Sequence, residues 1–320
     1  MTGLPLHSPP PRIVDAHSHI ASLDFIPQVF VEGVARNIAA SLEARGMAIP
    51  VSRLIDRIAA TLQDPDGVQQ IAEMEAAGIS RSVLLIPDFT QVPGGLRLSI
   101  EEIFLAHREL VERNPGRFVV LGGVDPRWGR DGLELFERSV RDWGFAGLKL
   151  YPPCGYSPSD ERLFPFYEIC AARSLPVLLH TGPTSPALSF DYSSPFHLDL
   201  AARSFPGVNF ILAHGAVHHV EDCALLCEYR PNVYLDISGL QGKLAVDRET
   251  RQYRHLFHRG LSHKILFGTD WPLFRMQVDQ KGFVAELLGE DGLLAGLPQG
   301  DRELIFHKNV ERLLPAAAGA

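Results

Sequence analysis

The sequence predicts an α/β protein whose simplest architecture is a closed (β/α)8 TIM barrel with a helical insertion after the first strand. Eight short apolar runs alternate with longer stretches of helical periodicity, which is the pattern of parallel strands joined by helical crossovers. The runs are also apolar almost without interruption, as strands buried on both faces are. An open doubly wound sheet is the alternative fold. Its nucleotide-binding versions are disfavoured because no run is followed by a GxGxxG or GxxxxGK[ST] turn.

Each predicted strand is rich in β-branched or large apolar residues and is bounded by glycine, proline or a polar turn. The strands are predicted at 12–16, 81–86, 118–124, 146–151, 176–179, 208–213, 233–237 and 264–268. Helical patterns lie between them at 67–77, 99–113, 130–143, 161–173, 195–205 and 217–229. The pattern at 99–113 ends at Asn114-Pro115-Gly116, a sequence that stops a helix.

The gap between the first and second predicted strands is unusually long. Residues 22–66 are predicted to hold helices at 27–42 and 51–62. In a barrel, a segment that follows a strand emerges on the face that carries the active site. We therefore interpret the insertion as a lid or a wall of the substrate pocket. Since no repeat or linker divides the chain, residues 1–320 are predicted to form a single domain.

Composition and charge exclude several classes of protein. The net charge is −8 and no run of Lys or Arg occurs, so a nucleic-acid partner is not expected. No apolar run approaches the ~20 residues that span a bilayer, and the first residues do not resemble a secretory signal. The four cysteines are too irregularly spaced for a disulfide framework. These features predict a cytoplasmic protein with no membrane partner.

Side chains that bind metals follow several of the predicted strands. His17 and His19 come after the first strand, and His180, His214 and Asp270 follow the fifth, sixth and eighth. Because the carboxyl ends of the strands meet at one rim of a barrel, we expect these side chains to converge. Imidazoles and a carboxylate suit Zn²⁺ and leave a position for water, with Mn²⁺ and Fe²⁺ as alternatives. We expect one divalent metal ion.

The same motifs resemble a known family. HSH at 17–19, HTG at 180–182, AHG at 213–215 and FGTDWP at 267–272 follow one another as in the amidohydrolase superfamily. The segment GFAGLKLYPP at 144–153 is similar to the amidohydrolase-related branch, which includes aminocarboxymuconate-semialdehyde decarboxylase. The resemblance extends from Val14 to about Leu314 and implies both the barrel and a metal centre.

The resemblance also implies roles for individual residues. His17, His19, His180 and Asp270 would be the metal ligands. Asp270 and His214 would be the catalytic residues, with His214 beside the substrate. Members of this branch are often dimers, so a homodimer is the oligomeric state that the resemblance implies.

Other polar residues near the strand ends are candidates for substrate binding. Lys149 lies in the fourth strand, where binuclear members of the superfamily carry a carboxylated lysine. Since this branch usually holds one metal, we favour a free ammonium at Lys149 that binds substrate, with the carbamate as the alternative. Tyr151 lies on the same strand face and is a similar candidate. Arg127 and Arg275 are candidates for pairing with a substrate carboxylate, and solvated surface arginines are the alternative. Asp236 is expected to orient a ligand imidazole.

The expected reaction is hydrolysis of a small ester, lactone or amide by a metal-activated water. His214 would polarise the carbonyl oxygen or shuttle a proton, since the pKa of an imidazole lies near neutrality, and Asp270 would relay the proton. The complete HxH pair favours this choice, because some decarboxylases of the branch replace its first histidine. The alternative is non-oxidative decarboxylation of an unsaturated or aromatic carboxylic acid. A third hypothesis is a barrel that binds metal or ligand without turnover. In each case the partner is a small molecule, with a carboxylate among the candidates.

Overall fold

The computed structural model describes residues 12–247, 250–275 and 277–315. These residues contain a barrel of parallel strands and a short antiparallel pair. The strands are β1 (Ile13–Ser18), β2 (Ala21–Ser22), β3 (Gln63–Asp64), β4 (Ile79–Leu85), β5 (Phe118–Gly123), β6 (Leu148–Leu150), β7 (Val177–His180), β8 (Phe210–Ala213), β9 (Val233–Asp236) and β10 (Ile265–Leu266).

The main sheet has eight strands in the order β1-β4-β5-β6-β7-β8-β9-β10, and every neighbouring pair is parallel. Backbone hydrogen bonds between β1 and the segment after β10 close it into a barrel. The amide of Ala16 donates to the carbonyl of Phe267 at 2.8 Å, and the amide of Asp270 donates to the carbonyl of His17 at 2.8 Å. The prediction of a (β/α)8 TIM barrel is confirmed.

Helices cover the outside of the barrel. They are α1 (Gln28–Glu43), α2 (Val51–Thr61), α3 (Val68–Ala77), α4 (Ile100–Arg113), α5 (Gly129–Asp142), α6 (Phe164–Arg173), α7 (Asp199–Ser204), α8 (Val220–Tyr229), α9 (Leu240–Leu244), α10 (Arg251–His258), α11 (Gln280–Leu288), α12 (Gln299–Glu303) and α13 (Asn309–Leu313). A π-helical turn at Leu304–Lys308 joins the last two. Within the described residues, no helix has the length and apolar content that crossing a membrane requires.

Apolar side chains fill the barrel on both sides of the sheet. Inside it, residues from all but one of the eight strands, such as Val14, Leu85 and Ile211, form one buried cluster that Val310 and Leu313 of α13 cover from below. Alternate residues of the same strands pack outwards against the helices. The lower part of the barrel is therefore a packed core, and the polar side chains are left to the rim at the carboxyl ends.

The insertion after β1 is helical, as predicted. It holds α1 and α2, which pack against each other, and the predicted ends differ by at most one residue from those observed. The sequence did not predict the antiparallel ribbon of β2 and β3 at its base. Asp64 of β3 also accepts hydrogen bonds from the amides of Gln69 and Gln70 at the start of α3, at 3.1 and 2.8 Å. Both ends of the insertion are thereby fixed to the barrel rim.

Candidate metal centre

Two histidines near the end of β1 and one aspartate after β10 meet at the rim. Nε2 of His17 lies 3.3 Å from Oδ1 of Asp270, and Nε2 of His19 lies 3.2 Å from the same oxygen. His17 and Asp270 are buried and His19 is partly exposed. Neither contact satisfies hydrogen-bond geometry, so Oδ1 of Asp270 has no hydrogen-bond partner among the described residues.

The remaining ring nitrogen of each histidine is already engaged. Nδ1 of His19 donates to the carbonyl oxygen of Leu85 at 2.9 Å, which leaves a lone pair on Nε2 of the neutral ring. Nδ1 of His17 lies 2.8 Å from Oδ2 of Asp236. The Nε2 atoms of both histidines and Oδ1 of Asp270 therefore face one another, an arrangement in which they could share one cation. Ligands of a tetrahedral Zn²⁺ at about 2.05 Å would be roughly 3.3 Å apart, which agrees with the two contacts to Asp270. The donor set fits a divalent metal ion.

A second group, formed by His17, His214 and Asp236, also has ligand atoms close together. Hydrogen bonds explain this group without a metal. Oδ1 of Asp236 accepts from the amides of His214 and Ser238, each at 3.0 Å, and the Ser238 hydroxyl lies between the Nδ1 atoms of His17 and His214, at 3.0 and 2.9 Å. Asp236 thus orients His17, as predicted for a carboxylate behind a ligand imidazole.

His214 directly follows β8. Its Nδ1 lies 3.0 Å from the carbonyl oxygen of Ser238 and donates to it, so Nε2 carries the lone pair. Burial lowers the pKa of His214 to about 4, and the ring is therefore neutral at pH 7. The sequence analysis placed the pKa of this residue near neutrality and gave it two alternative roles, polarising a carbonyl oxygen or transferring a proton. A neutral ring without a proton on Nε2 favours the second role, the acceptance of a proton.

His180, Lys149 and Tyr151 complete the rim on the other side. The rings of His180 and His214 lie 4.8 Å apart, and the His180 ring stacks on Tyr151 at 4.4 Å. Nε2 of His180 and Nζ of Lys149 are buried without a hydrogen-bond partner among the described residues. The Tyr151 hydroxyl is 2.7 Å from that of Thr184. His180 is not within the tight group of His17, His19 and Asp270, but its free nitrogen points to a ligand that the protein alone does not supply.

The electrostatics of the rim favour a bound cation. Burial would raise the pKa of Asp270, but the imidazoles around it, with His17 and His19 beside its Oδ1, hold the pKa well below its usual range. Burial likewise opposes ionisation of Asp236, yet His17 and the hydrogen bonds hold its pKa at about 2. Two buried carboxylates are therefore ionised. Burial lowers the pKa of Lys149 to about 8, against the opposing effect of these carboxylates, so it is the matching cation nearby.

The backbone is unusual at two of these residues. Asp270 has φ of 53° and His214 has φ of 59°, both in the left-handed region that non-glycine residues rarely adopt. Asp270 is held there by its neighbour, since the amide and hydroxyl of Thr269 donate to Asp15 at 3.0 and 2.6 Å. Such strain is maintained at functional sites where the surrounding structure fixes the chain.

An apolar cavity opens beside His19; about 60 Å³ of it is available to the centres of water-sized molecules, within about 600 Å³ of space that includes open solvent. The insertion contributes Phe25, Ile26, Phe30 and Leu62 to its lining. The barrel side contributes His19, Ile20, Leu85, Ile86, Pro87, Phe89, Ile103, His107, Tyr151, Pro272 and Leu273. The insertion therefore forms one wall of the cavity next to the candidate metal ligands.

The two candidate arginines are bound to carboxylates of the protein itself. Arg127 donates to both oxygens of Asp125 at 2.7 and 2.6 Å. Arg275 pairs with Glu73 at 2.5 Å, and its guanidinium lies over the Trp271 ring. Neither arginine lines the cavity beside His19. The geometry thus gives no support to their assignment to a substrate carboxylate.

Sequence reasoning missed two residues at this site. Ser238 bridges the rings of His17 and His214, but a serine after a strand carries no distinctive signal. His107 lines the cavity from α4, whereas the sequence analysis gave it no role. Its position on the apolar face of that helix, one turn after Ile103, is the one feature that could have placed it inward.

Comparisons with known proteins agree with the fold and the motifs. Among solved structures, an uncharacterised TIM-barrel protein from Bordetella bronchiseptica superposes with a TM-score of 0.67 at 21% identity, covering 94% of this chain and 98% of that one. A 5-carboxyvanillate decarboxylase from Novosphingobium aromaticivorans, complexed with manganese and 4-hydroxy-3-methoxy-5-nitrobenzoic acid, superposes with a TM-score of 0.62 at 14% identity, covering 94% and 95%. At these identities the likeness concerns the fold.

A curated relative matches part of the chain. Protein fluG of Emericella nidulans is 26% identical over 144 residues, which is 42% of this chain and 17% of that protein's length. The family model described as Amidohydrolase matches residues 14–316, nearly all of the sequence. The chain therefore belongs to the amidohydrolase family.

Proposed function

We propose that this protein is a metal-dependent enzyme that hydrolyses a small ester, lactone or amide with an apolar substituent. One observation carries the proposal: the lone pairs of His17, His19 and Asp270 face one another at the mouth of an apolar cavity, as ligands of a shared ion do. Family membership supports an enzyme with a divalent metal. We assign His17, His19, His180 and Asp270 as its ligands.

A divalent cation at this position supplies Lewis acidity, which polarises a carbonyl group and lowers the pKa of water toward neutrality. Zn²⁺ is our first choice for two or more imidazoles and a carboxylate, with Mn²⁺ and Fe²⁺ as alternatives. The ligands are fixed in advance, because Asp236 and the carbonyl of Leu85 hold the two imidazoles of the HxH pair. Little reorganisation is then needed when the ion binds.

The chain itself supplies proton transfer and charge. His214 is neutral with a lone pair on Nε2, so it takes a proton from the attacking water. Asp270 is ionised, so it receives that proton from His214 and passes it to the leaving group. Lys149 is a buried ammonium whose Nζ has no hydrogen-bond partner in the part of the chain that the structure describes, so we assign it the stabilisation of the negative charge that develops on the carbonyl oxygen. The carbamate alternative would remove that charge and is not used in this scheme.

The cavity determines which substituent is accepted. Its wall is formed largely by Phe25, Phe30, Phe89 and aliphatic side chains, and no acidic or guanidinium side chain lines it. An aromatic or branched aliphatic group would bury its surface there at about 25 cal/mol per Å². The insertion is thus assigned the role of a pocket wall.

Decarboxylation is the second candidate, and the same apolar cavity favours it. A carboxylate loses hydration in such an environment, whereas the charge of the electron pair that stays on the carbon when CO₂ departs is dispersed over the substrate. A structural neighbour with this fold is named as a decarboxylase. In this scheme Asp270 would take a proton from water and deliver it to the carbon that loses CO₂, and the remaining hydroxide would leave with CO₂ as bicarbonate.

The test is elemental analysis followed by a divided substrate panel. Aryl esters and aromatic lactones form one half, and aromatic and unsaturated carboxylic acids form the other, each with Asp270→Asn as the inactive control. Metal-dependent release of acid from the first half is the expected result. Release of CO₂ from the second half without hydrolysis would replace the proposal with the decarboxylase. No metal-dependent turnover in either half would leave a binding barrel.

A further inference from the structure

His107 is the polar residue of the cavity lining that the proposed reaction does not use. It lies on α4 with 2% of its surface exposed, and it lines the cavity together with Ile103 one turn earlier on the same helix. The other lining residues with polar side-chain atoms are His19 and Tyr151, and both belong to the rim already described. His107 thus places an isolated polar group in an apolar wall.

One nitrogen of the His107 ring is satisfied by its own helix. Nδ1 lies 2.8 Å from the carbonyl oxygen of Ile103. Since a carbonyl can only accept, Nδ1 carries the hydrogen and the lone pair of the neutral ring is on Nε2. Among the described residues, no group donates to Nε2. Burial lowers the pKa of His107 to about 4, so the ring stays neutral at pH 7.

The surroundings of the ring fix its orientation. The Phe25 ring from the insertion packs against it at 5.2 Å between centroids, and the bond to Ile103 restrains the opposite edge. A phenylalanine would fill the same space, so the histidine adds a hydrogen-bond acceptor beside the cavity that packing does not require.

We propose that His107 is a specificity-determining residue whose Nε2 accepts a hydrogen bond from a hydroxyl or N–H group on the apolar part of the substrate. The substrate class is then an aromatic or similarly apolar molecule with a neutral hydrogen-bond donor. The donor is neutral because no carboxylate lines the cavity to pair with an ammonium. The inference deepens the proposed function, but binding at His107 does not require turnover.

Binding of a matched pair of probes tests the assignment. We would titrate 2-naphthol and 2-methoxynaphthalene into the full-length protein and follow probe fluorescence. The two probes share the ring and the oxygen, and only 2-naphthol donates a hydrogen bond. The expected preference for 2-naphthol is about tenfold, the usual effect of one buried hydrogen bond.

Three variants distinguish hydrogen bonding from packing. His107→Phe keeps the ring and removes the acceptor, so the preference should fall below twofold. His107→Gln keeps an acceptor at similar reach and should retain most of the preference. Ile103→Val, the matched control on the same helix face, should weaken both probes equally.

The outcomes separate this inference from the proposed function. No preference in the wild-type protein, no binding of either probe, or a preference that survives in His107→Phe would each overturn the assignment. A folded His107→Gln without the preference would also count against it. If the preference follows the acceptor while no ester or lactone is hydrolysed, the assignment stands and the hydrolase proposal fails.

Discussion

Replacement of Asp236 by asparagine should weaken metal binding, although Asp236 is not one of the proposed ligands. Asp236 is fully buried; its Oδ2 accepts from Nδ1 of His17, and its Oδ1 accepts from the amides of His214 and Ser238. In Asp236→Asn, the carbonyl oxygen of the amide remains with the two backbone amides. The NH₂ group then faces Nδ1 of His17, donor against donor. His17 avoids this contact between two donors by adopting the tautomer with its proton on Nε2, the atom that should bind the metal.

The expected loss of metal affinity is about 10- to 100-fold, which is typical of losing a partner that orients a ligand. Stability also falls. The pKa of Asp236 is held at about 2, against 3.8 for an ordinary aspartate, and this difference corresponds to about 2 kcal/mol of native stability. Because the pKa is lower in the folded state, this contribution is present above pH ~4 and is lost as the pH falls toward 2. Asparagine does not ionise and lacks it at every pH.

Isothermal titration of Zn²⁺ or Mn²⁺ into metal-free protein measures the affinity, and urea unfolding at pH 7 and pH 3 measures the stability. The matched control is Asp64→Asn, which also removes a buried carboxylate. The Asp64 carboxylate accepts hydrogen bonds from the start of α3 and does not orient a metal ligand. It should lose stability and keep metal affinity. Wild-type metal affinity in a folded Asp236→Asn protein would refute the assignment of His17 as a ligand held by Asp236.

Three further predictions concern the rim. Asp270→Asn should lower kcat by about 10²- to 10⁴-fold and weaken metal binding, measured by steady-state kinetics and titration; near-normal turnover would exclude it as the proton carrier. Lys149→Met should raise the free energy of unfolding of the metal-free protein by about 3 kcal/mol, because burial holds the pKa of the Lys149 ammonium at about 8, against 10.5 for an ordinary lysine. Turnover should fall in the same variant. A loss of stability in denaturant unfolding would contradict this prediction. Removal of the metal with a chelator should lower Tm and abolish turnover. Adding the metal back at ~1,000 times its Kd should restore about 4 kcal/mol of stability. A Tm that does not change with metal would argue against the site.

Much of the fold was predictable because burial leaves a local pattern. Parallel strands covered on both faces are continuous apolar runs, and all eight barrel strands were predicted at positions that overlap the observed ones. The capping box of Ser99 and Glu102 fixes the start of α4 within one residue of its predicted position. The β2–β3 ribbon was missed because two-residue strands carry no periodicity.

The candidate ligands were predicted from spacing and order, but their mutual arrangement was not. The observed pairing of β1 with β4 shifts register between Asp15 and Ser18, just before His19, and the sequence pattern gives no sign of this irregularity. The positive φ angles of His214 and Asp270 likewise depend on neighbours distant in sequence.

By itself, the amino-acid sequence determined the barrel, the helical insertion and the residue types that ring the rim, because apolar periodicity and short motifs are local properties. Only the tertiary structure decided that Arg127 and Arg275 are bound to internal carboxylates and that His214 is neutral. It alone brought His107 to the cavity wall. These features depend on burial and on partners far away along the chain, since desolvation and hydrogen bonding are set by which groups the fold places together.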